Sequence, residues 1–192
     1  DLVAGARWKQ GSVTEVIPGG GGLEGEADCF FPYLKCRASR KTDVTDFSLS
    51  LSVETNLPDV AGTDEDQLLN LGRNFTDDDW TAYRGSLSFS VFVDRLDTKP
   101  AGEKPAPGAH ELALSMRGQY VPNDKRLPPQ FQEIVGGFYR NRGYPESVEA
   151  GDSAYIASIE YRCHLGRIFE PAAKCRPVVK FFFDYGTTEI NA

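Results

Sequence analysis

Apolar and polar residues alternate with a period of two along most of this chain, the period of a β-strand whose two faces meet different surroundings. The pattern is strictest where Phe47, Leu49, Leu51 and Val53 face one way and Ser48, Ser50, Ser52 and Glu54 the other. It recurs at Leu2–Lys9, where Leu2, Ala4, Ala6 and Trp8 oppose Val3, Gly5, Arg7 and Lys9. From Tyr83, the set Tyr83, Gly85, Leu87, Phe89, Val91 and Val93 opposes Arg84, Ser86, Ser88, Ser90 and Asp94. Leu112, Leu114, Met116, Gly118 and Tyr120 oppose Ala113, Ser115, Arg117 and Gln119. Tyr155, Ala157, Ile159 and Tyr161 oppose Ser158, Glu160, Arg162 and His164. In the last segment Val179, Phe181, Phe183 and Tyr185 oppose Val178, Lys180, Phe182 and Asp184. With a short strand at Phe131–Val135, about seven strands and no long helix are predicted.

The intervening stretches read as loops. Residues 11–41 contain the run Gly19 to Gly22 and mixed charges, which predicts a surface loop. Residues 59–80 carry the clusters Asp64, Glu65, Asp66 and Asp77, Asp78, Asp79, with a helical turn or two near Gln67–Leu71. Those clusters lack the spacing of a calcium-binding EF-hand and read as a solvated acidic loop. Residues 97–107 are rich in Pro, Lys and Gly and read as an exposed hairpin connection.

Composition narrows the classes. The chain has 192 residues and a formal net charge of -7, which argues against nucleic acid as a main partner. No apolar run approaches the roughly 20 residues of a membrane helix. Transmembrane β-strands remain compatible, because alternation averages to mild polarity. The start Asp1-Leu2-Val3-Ala4-Gly5 has no signal segment and reads as mid-strand, so the chain is expected to be part of a larger protein.

Four cysteines form two close sequence pairs, Cys29 with Cys36 and Cys163 with Cys175. Three connectivities exist; local pairing is the simplest, and two disulfides in an oxidising compartment are expected. With only His110 and His164 available, neither a zinc site nor a nucleophile–base pair is recognisable. No catalytic residue, metal or cofactor is expected, and His164 is expected to cap a strand end.

One carboxylate stands out. Asp184 lies in the aromatic run Phe181, Phe182, Phe183, Asp184, Tyr185, Gly186, on the polar side of its strand. An unpaired buried charge is costly, so Asp184 calls for a cation. The turn-rich stretch 135–146 offers Arg142, whose planar guanidinium grips a carboxylate two-pronged. Gly143 beside it permits a sharp bend. A solvated Arg142 and a water-facing Asp184 would satisfy the same spacing.

Several strands run nine to eleven residues, the length that crosses a bilayer at a tilt. Tyr or Trp at the ends of apolar faces (Trp80, Tyr83, Tyr120, Tyr155, Tyr161, Tyr185) resemble interfacial girdles. A soluble sandwich or lipocalin-like barrel shows the same alternation.

The stretch from Leu127 to Arg162 carries Leu127-Pro128-Pro129, Phe131, Gly136-Gly137, Arg142-Gly143-Tyr144-Pro145-Glu146-Ser147, Ala150-Gly151-Asp152, Ala154 and Ser158-Ile159-Glu160-Tyr161-Arg162. It resembles the outer-membrane transporters of two-partner secretion, of the hemolysin activation/secretion (ShlB, FhaC) type, in the superfamily that includes the BamA assembly factor. That superfamily's loop motif is Val-Arg-Gly-Tyr or Val-Arg-Gly-Phe; here Asn141 stands before Arg142, Gly143 and Tyr144. Its second motif, Phe-x-Asp-x-Gly, is matched by Phe182, Asp184 and Gly186. The close match covers roughly the last third of the chain.

The resemblance implies an all-β, antiparallel, up-and-down transmembrane barrel of sixteen strands, of which residues 1–192 supply about seven. It implies preceding POTRA domains, for which no pattern is present in this chain. It places the loop in the lumen, where Arg142 meets Asp184 on the wall, with Glu160 and Arg162 as further lumen-facing charges. It puts the start of the Arg142 loop on the outer side. The Cys163–Cys175 turn is then periplasmic, and residues 59–80 form an unusually long periplasmic turn.

The expected function is outer-membrane transport of an unfolded partner polypeptide, in the bacterial cell outer membrane, without covalent chemistry. Expected partners are outer-membrane lipid, the unfolded polypeptide and further chains completing the barrel. Insertion of other barrels into the membrane is the alternative within the superfamily. A soluble, disulfide-stapled β-barrel binding an apolar ligand is the alternative outside it.

Overall fold

The computed structural model describes residues 1–17, 21–62, 68, 76–96, 107–137, 141–168 and 176–191, with backbone only over 13–25. Among the described residues nine strands form: β1 Leu2–Ile17, β2 Gly21–Lys41, β3 Thr45–Thr55, β4 Thr81–Phe92, β5 His110–Tyr120, β6 Glu133–Val135, β7 Glu149–Gly151, β8 Ser153–His164 and β9 Val178–Glu189. Seven make one antiparallel meander in the order β1-β2-β3-β4-β5-β8-β9, and β6 with β7 forms a separate ribbon. β1 pairs only with β2, and β9 only with β8, so the sheet is open among the described residues.

Register aligns like with like, so each face keeps one character across the sheet. Leu49, Leu87, Met116, Ala157 and Tyr185 pair in a row on one face. Ser39, Ser48, Ser88, Ser115, Ser158 and Asp184 pair in a row on the other. A slip of one residue in any strand would exchange its faces.

The faces are inverted relative to a water-soluble sheet. The apolar face is exposed: Phe181 is 65%, Phe183 68% and Tyr185 56% accessible. An apolar depression of about 730 Å³ crosses it, lined in part by Leu51, Tyr83, Leu87, Met116 and Tyr155. An exposed apolar surface of this continuity marks contact with another apolar phase or a partner. The polar face is the covered one, because the connection between β5 and β8 folds back across it.

Connections alternate between two ends. The β1–β2 tip, the β3–β4 connection and the β5–β8 connection share one end, which we name the loop end. The main core lies there. Ala27, Cys29 and Phe31 of β2 pack with Ala82 of β4 and with Leu68, Trp80, Val121 and Leu127 of the connections. Phe31, Trp80 and Phe131 form an aromatic cluster with ring centres 4.9–5.2 Å apart. At the opposite end a tight turn joins β2 to β3. There Thr42 Oγ1 accepts the N–H of Val44 at 3.2 Å and of Thr45 at 2.8 Å.

Three sequence expectations need correction. The stretch 11–41 is not a loop over its described residues: 11–17 complete β1 and 21–41 form β2, the longest strand. Gly21 and Gly22 sit in a ladder that supplies the backbone hydrogen bonds a loop would leave to water. The stretch 131–135 is not a wall strand; Pro129–Phe131 is a single 3-10 turn and β6 pairs only with β7. Removing that strand reverses the placement of residues 59–80, because Thr55 and Thr81 are partners at the loop end. The described flanks of that stretch therefore share an end with the connection that carries Arg142. Of the helical turn expected near Gln67–Leu71, only Leu68 lies among the described residues; it is helical and buried. The clusters Asp64–Asp66 and most of 97–107 lie outside them.

Candidate functional site

The β5–β8 connection is tied to the wall at several points before it reaches Arg142. The Asp152 carboxylate accepts the N–H of Leu127 and of Asn191, both at 2.9 Å. Gln119 of β5 donates from Nε2 to the carbonyls of Phe131, at 3.1 Å, and Asp152, at 2.9 Å. Arg117 forms an ion pair with Glu133. Val135 of β6 packs on Ala154 and Ile156 of β8. The loop then passes over Gly186, where an added Cβ would lie 2.7 Å from both Val135 Cγ1 and Asn141 Nδ2. Only a residue without a side chain allows this approach.

Arg142 follows. Its Nε donates to Asp184 Oδ2 at 2.8 Å and its Nη2 to Asp184 Oδ1 at 2.6 Å, a two-pronged contact. Its backbone N–H adds a third bond to Asp184 Oδ2 at 2.9 Å. Ser158 Oγ, one strand away, donates to Asp184 Oδ1 at 2.6 Å and accepts from Arg142 Nη2 at 2.8 Å. Arg142 Nη1 reaches Glu160, and the guanidinium lies over the Phe182 ring, 3.7 Å from its centre. A flat cation over a ring face is attractive in itself. Hydrogen bonding to Asp184, set against the cost of burial and joined by Glu160, raises the pKa of Arg142 above the ordinary arginine value. The residue is therefore a fixed cation.

From Glu160 the charges continue along the wall. Arg162 Nε donates to Glu160 at 2.6 Å, and its Nη1 to Glu111 at 3.1 Å. Glu111 also meets His164 Nε2 at 2.9 Å. The acid–base alternation runs through Arg142, Glu160, Arg162 and Glu111 and ends on the His164 ring. Each of the four charges lies beside one of opposite sign, which is what a charged cluster out of bulk water requires.

The structure thus brings together Arg142, Phe182, Asp184, Gly186, Glu160 and Arg162. Gly143 follows with φ +93°, a region that favours glycine. Tyr144 is not part of the cluster: it is 58% exposed. His164 stands at the end of β8, where it was expected, and its Nε2 also contacts Glu111. A second cluster went unread in the sequence: Arg7 and Arg84 both pair with Glu54, and Arg84 Nε donates to Gln119 at 2.6 Å. Its signal was Glu54, the acid that ends the polar side Ser48, Ser50, Ser52 and Glu54.

The Cys29–Cys36 disulfide is overturned. Both carry free thiols. They sit seven positions apart in β2, roughly 23 Å along an extended strand, and the odd spacing turns them to opposite faces. A disulfide needs Cα atoms within about 7 Å. Cys163, at the end of β8, is likewise a free thiol, and Cys175 lies outside the described residues.

The described residues contain no helix long and apolar enough to cross a membrane, which says nothing of strands. No protein-family model matches the chain, and no curated protein matches it.

Proposed function

We propose that the chain is part of the wall of a bacterial outer-membrane β-barrel that passes unfolded polypeptide, as in two-partner secretion. The inverted sheet is the observation that carries this reading. An apolar face open to its surroundings suits lipid, and a polar face bearing serine rows and charged side chains suits a wet lumen. A soluble barrel would need the apolar side chains inside, and the absent Cys29–Cys36 staple removes that reading's other support.

The Arg142 loop then lies in the lumen as a positioning element. It performs no covalent step; its two-pronged grip on Asp184 holds the connection against β8 and β9. The open edges of β1 and β9 call for further strands to close the wall, because unpaired strand edges are not tolerated in lipid.

The test is reconstitution of the whole protein into phospholipid vesicles with a trapped protease. Cleavage of an unfolded reporter added outside is the expected result. If the reporter stays intact while an added barrel protein becomes embedded in the bilayer, barrel insertion replaces transport. A chain that stays monodisperse in buffer without detergent would remove both.

A further inference from the structure

The charges of the polar face are unevenly partnered. Around β8 and β9 they close into the alternating cluster described above. Along β1 and β2 they do not. Arg7, Lys9, Lys35, Arg37 and Lys41 all project to the polar face, since Lys35 pairs with Ser52 and Arg37 with Ser50 in the serine rows. Facing them from β3 are only Glu54, already held by Arg7 and Arg84, and Asp46, paired with Lys41 at 3.0 Å. Lys9, Lys35 and Arg37 have no ion pair with a described residue; Lys9 instead lies 4.5 Å above the Phe131 ring. In a chain of net charge -7 this is a concentrated basic track.

The track has a shape as well as a sign. Lys9 lies opposite Cys29, and Lys41 ends β2, so the cations extend over about 40 Å of strand. Neighbours at positions 7 and 9, and 35 and 37, repeat at about 7 Å, the same-face spacing of an extended chain. Beside them β3 offers Ser48, Ser50 and Ser52, which donate and accept without adding charge or bulk. A lipid headgroup would use one or two of these cations; a long line with this repeat matches an unfolded polypeptide.

We infer that the polar face of β1–β3 is a seat for an extended acidic polypeptide segment. This rests on the transport reading above, and it gives the cargo a chemical class: chains bearing Asp or Glu at alternate positions.

The test uses the detergent-solubilised full chain and two fluorescein-labelled peptides, one of alternating Glu and Ser and one of alternating Lys and Ser, read by anisotropy. The Glu–Ser peptide should bind at ~50 mM salt and lose most of its affinity at ~500 mM, where screening is short-ranged. Lys35→Glu with Arg37→Glu should weaken it by about tenfold or more. Lys35→Gln with Arg37→Gln should give an intermediate loss with less risk to folding. Lys180→Glu, on the same face but on β9, should leave binding unchanged. Equal binding of both peptides, indifference to the β2 substitutions, or displacement by phosphatidylglycerol vesicles that do not respond to the Glu–Ser peptide would overturn the seat. If the acidic peptide binds as described but no reporter crosses vesicles, transport falls and the seat stands.

Discussion

Asp184 receives three hydrogen bonds from one residue, Arg142: one from its backbone N–H and two from its guanidinium. The Asp184 side chain is only 2% exposed and that of Arg142 21%. Neither charge is therefore independent of the other. Arg142→Ala leaves a buried carboxylate without its cation, a loss on the order of 3 kcal/mol for the docked loop. Asp184→Ala should cost less, because Glu160 still holds the guanidinium. The double variant should cost less than the sum of the singles. Limited proteolysis of residues 136–148 measures all three, and strict additivity would refute the coupling.

Gly186→Ala tests the approach of the loop without touching a charge. Its Cβ would meet Val135 and Asn141 at 2.7 Å. Overpacking of this kind costs about 1–3 kcal/mol. The loop should become protease-sensitive while β9 stays protected from amide exchange. Unchanged loop protection would show that the close approach does not matter.

Cys29 and Cys36 should both be alkylated by iodoacetamide in denaturant without a reductant, as read by intact mass. Reductant should leave the unfolding temperature of the Cys163→Ser, Cys175→Ser variant unchanged. Modification of Cys29 and Cys36 only after reduction would restore the disulfide.

Acid should loosen the turn that follows β4. Asp94 accepts the N–H of Ala109 at 2.9 Å and of His110 at 3.5 Å. Burial pushes its pKa up, but these and neighbouring backbone N–H groups outweigh it and hold the carboxyl below the usual value. A depressed folded-state pKa gives stability that is full above the unfolded value, about 3.9, and is lost as pH falls through the folded value. Exchange protection of the Ala109 amide should fall in that window and be flat across it in Asp94→Asn.

Much of this was legible in the sequence because alternation is local. Phe47–Glu54 announced both faces of β3, and the lone acid among Phe181–Tyr185 announced a cationic partner. The β2 strand was not legible, because the Gly19–Gly22 run beside mixed charges resembles a loop in sequence, and only the ladder from Leu2 opposite Cys36 to Ile17 opposite Gly21 shows the strand. A missing β2 and an extra strand at 131–135 offset each other, so a count near seven coexists with the wrong end for residues 59–80. Counting strands cannot reveal such an exchange; only the ladder can. Glu160 as a direct partner of Arg142 also escaped, since it depends on β8 lying beside β9 in one particular register.

That register has a consequence for assembly. Asp184 ends the cross-strand row that begins at Ser39. Were β9 to pair with β8 one residue out of step, Asp184 would emerge among the exposed aromatics and Phe183 or Tyr185 would take its place beneath the loop. Arg142 would then find a ring edge where it needs a carboxylate. Docking of the loop therefore serves as a proofreader of the last hairpin, rewarding the correct alignment of β8 and β9 and leaving a shifted one without its clasp.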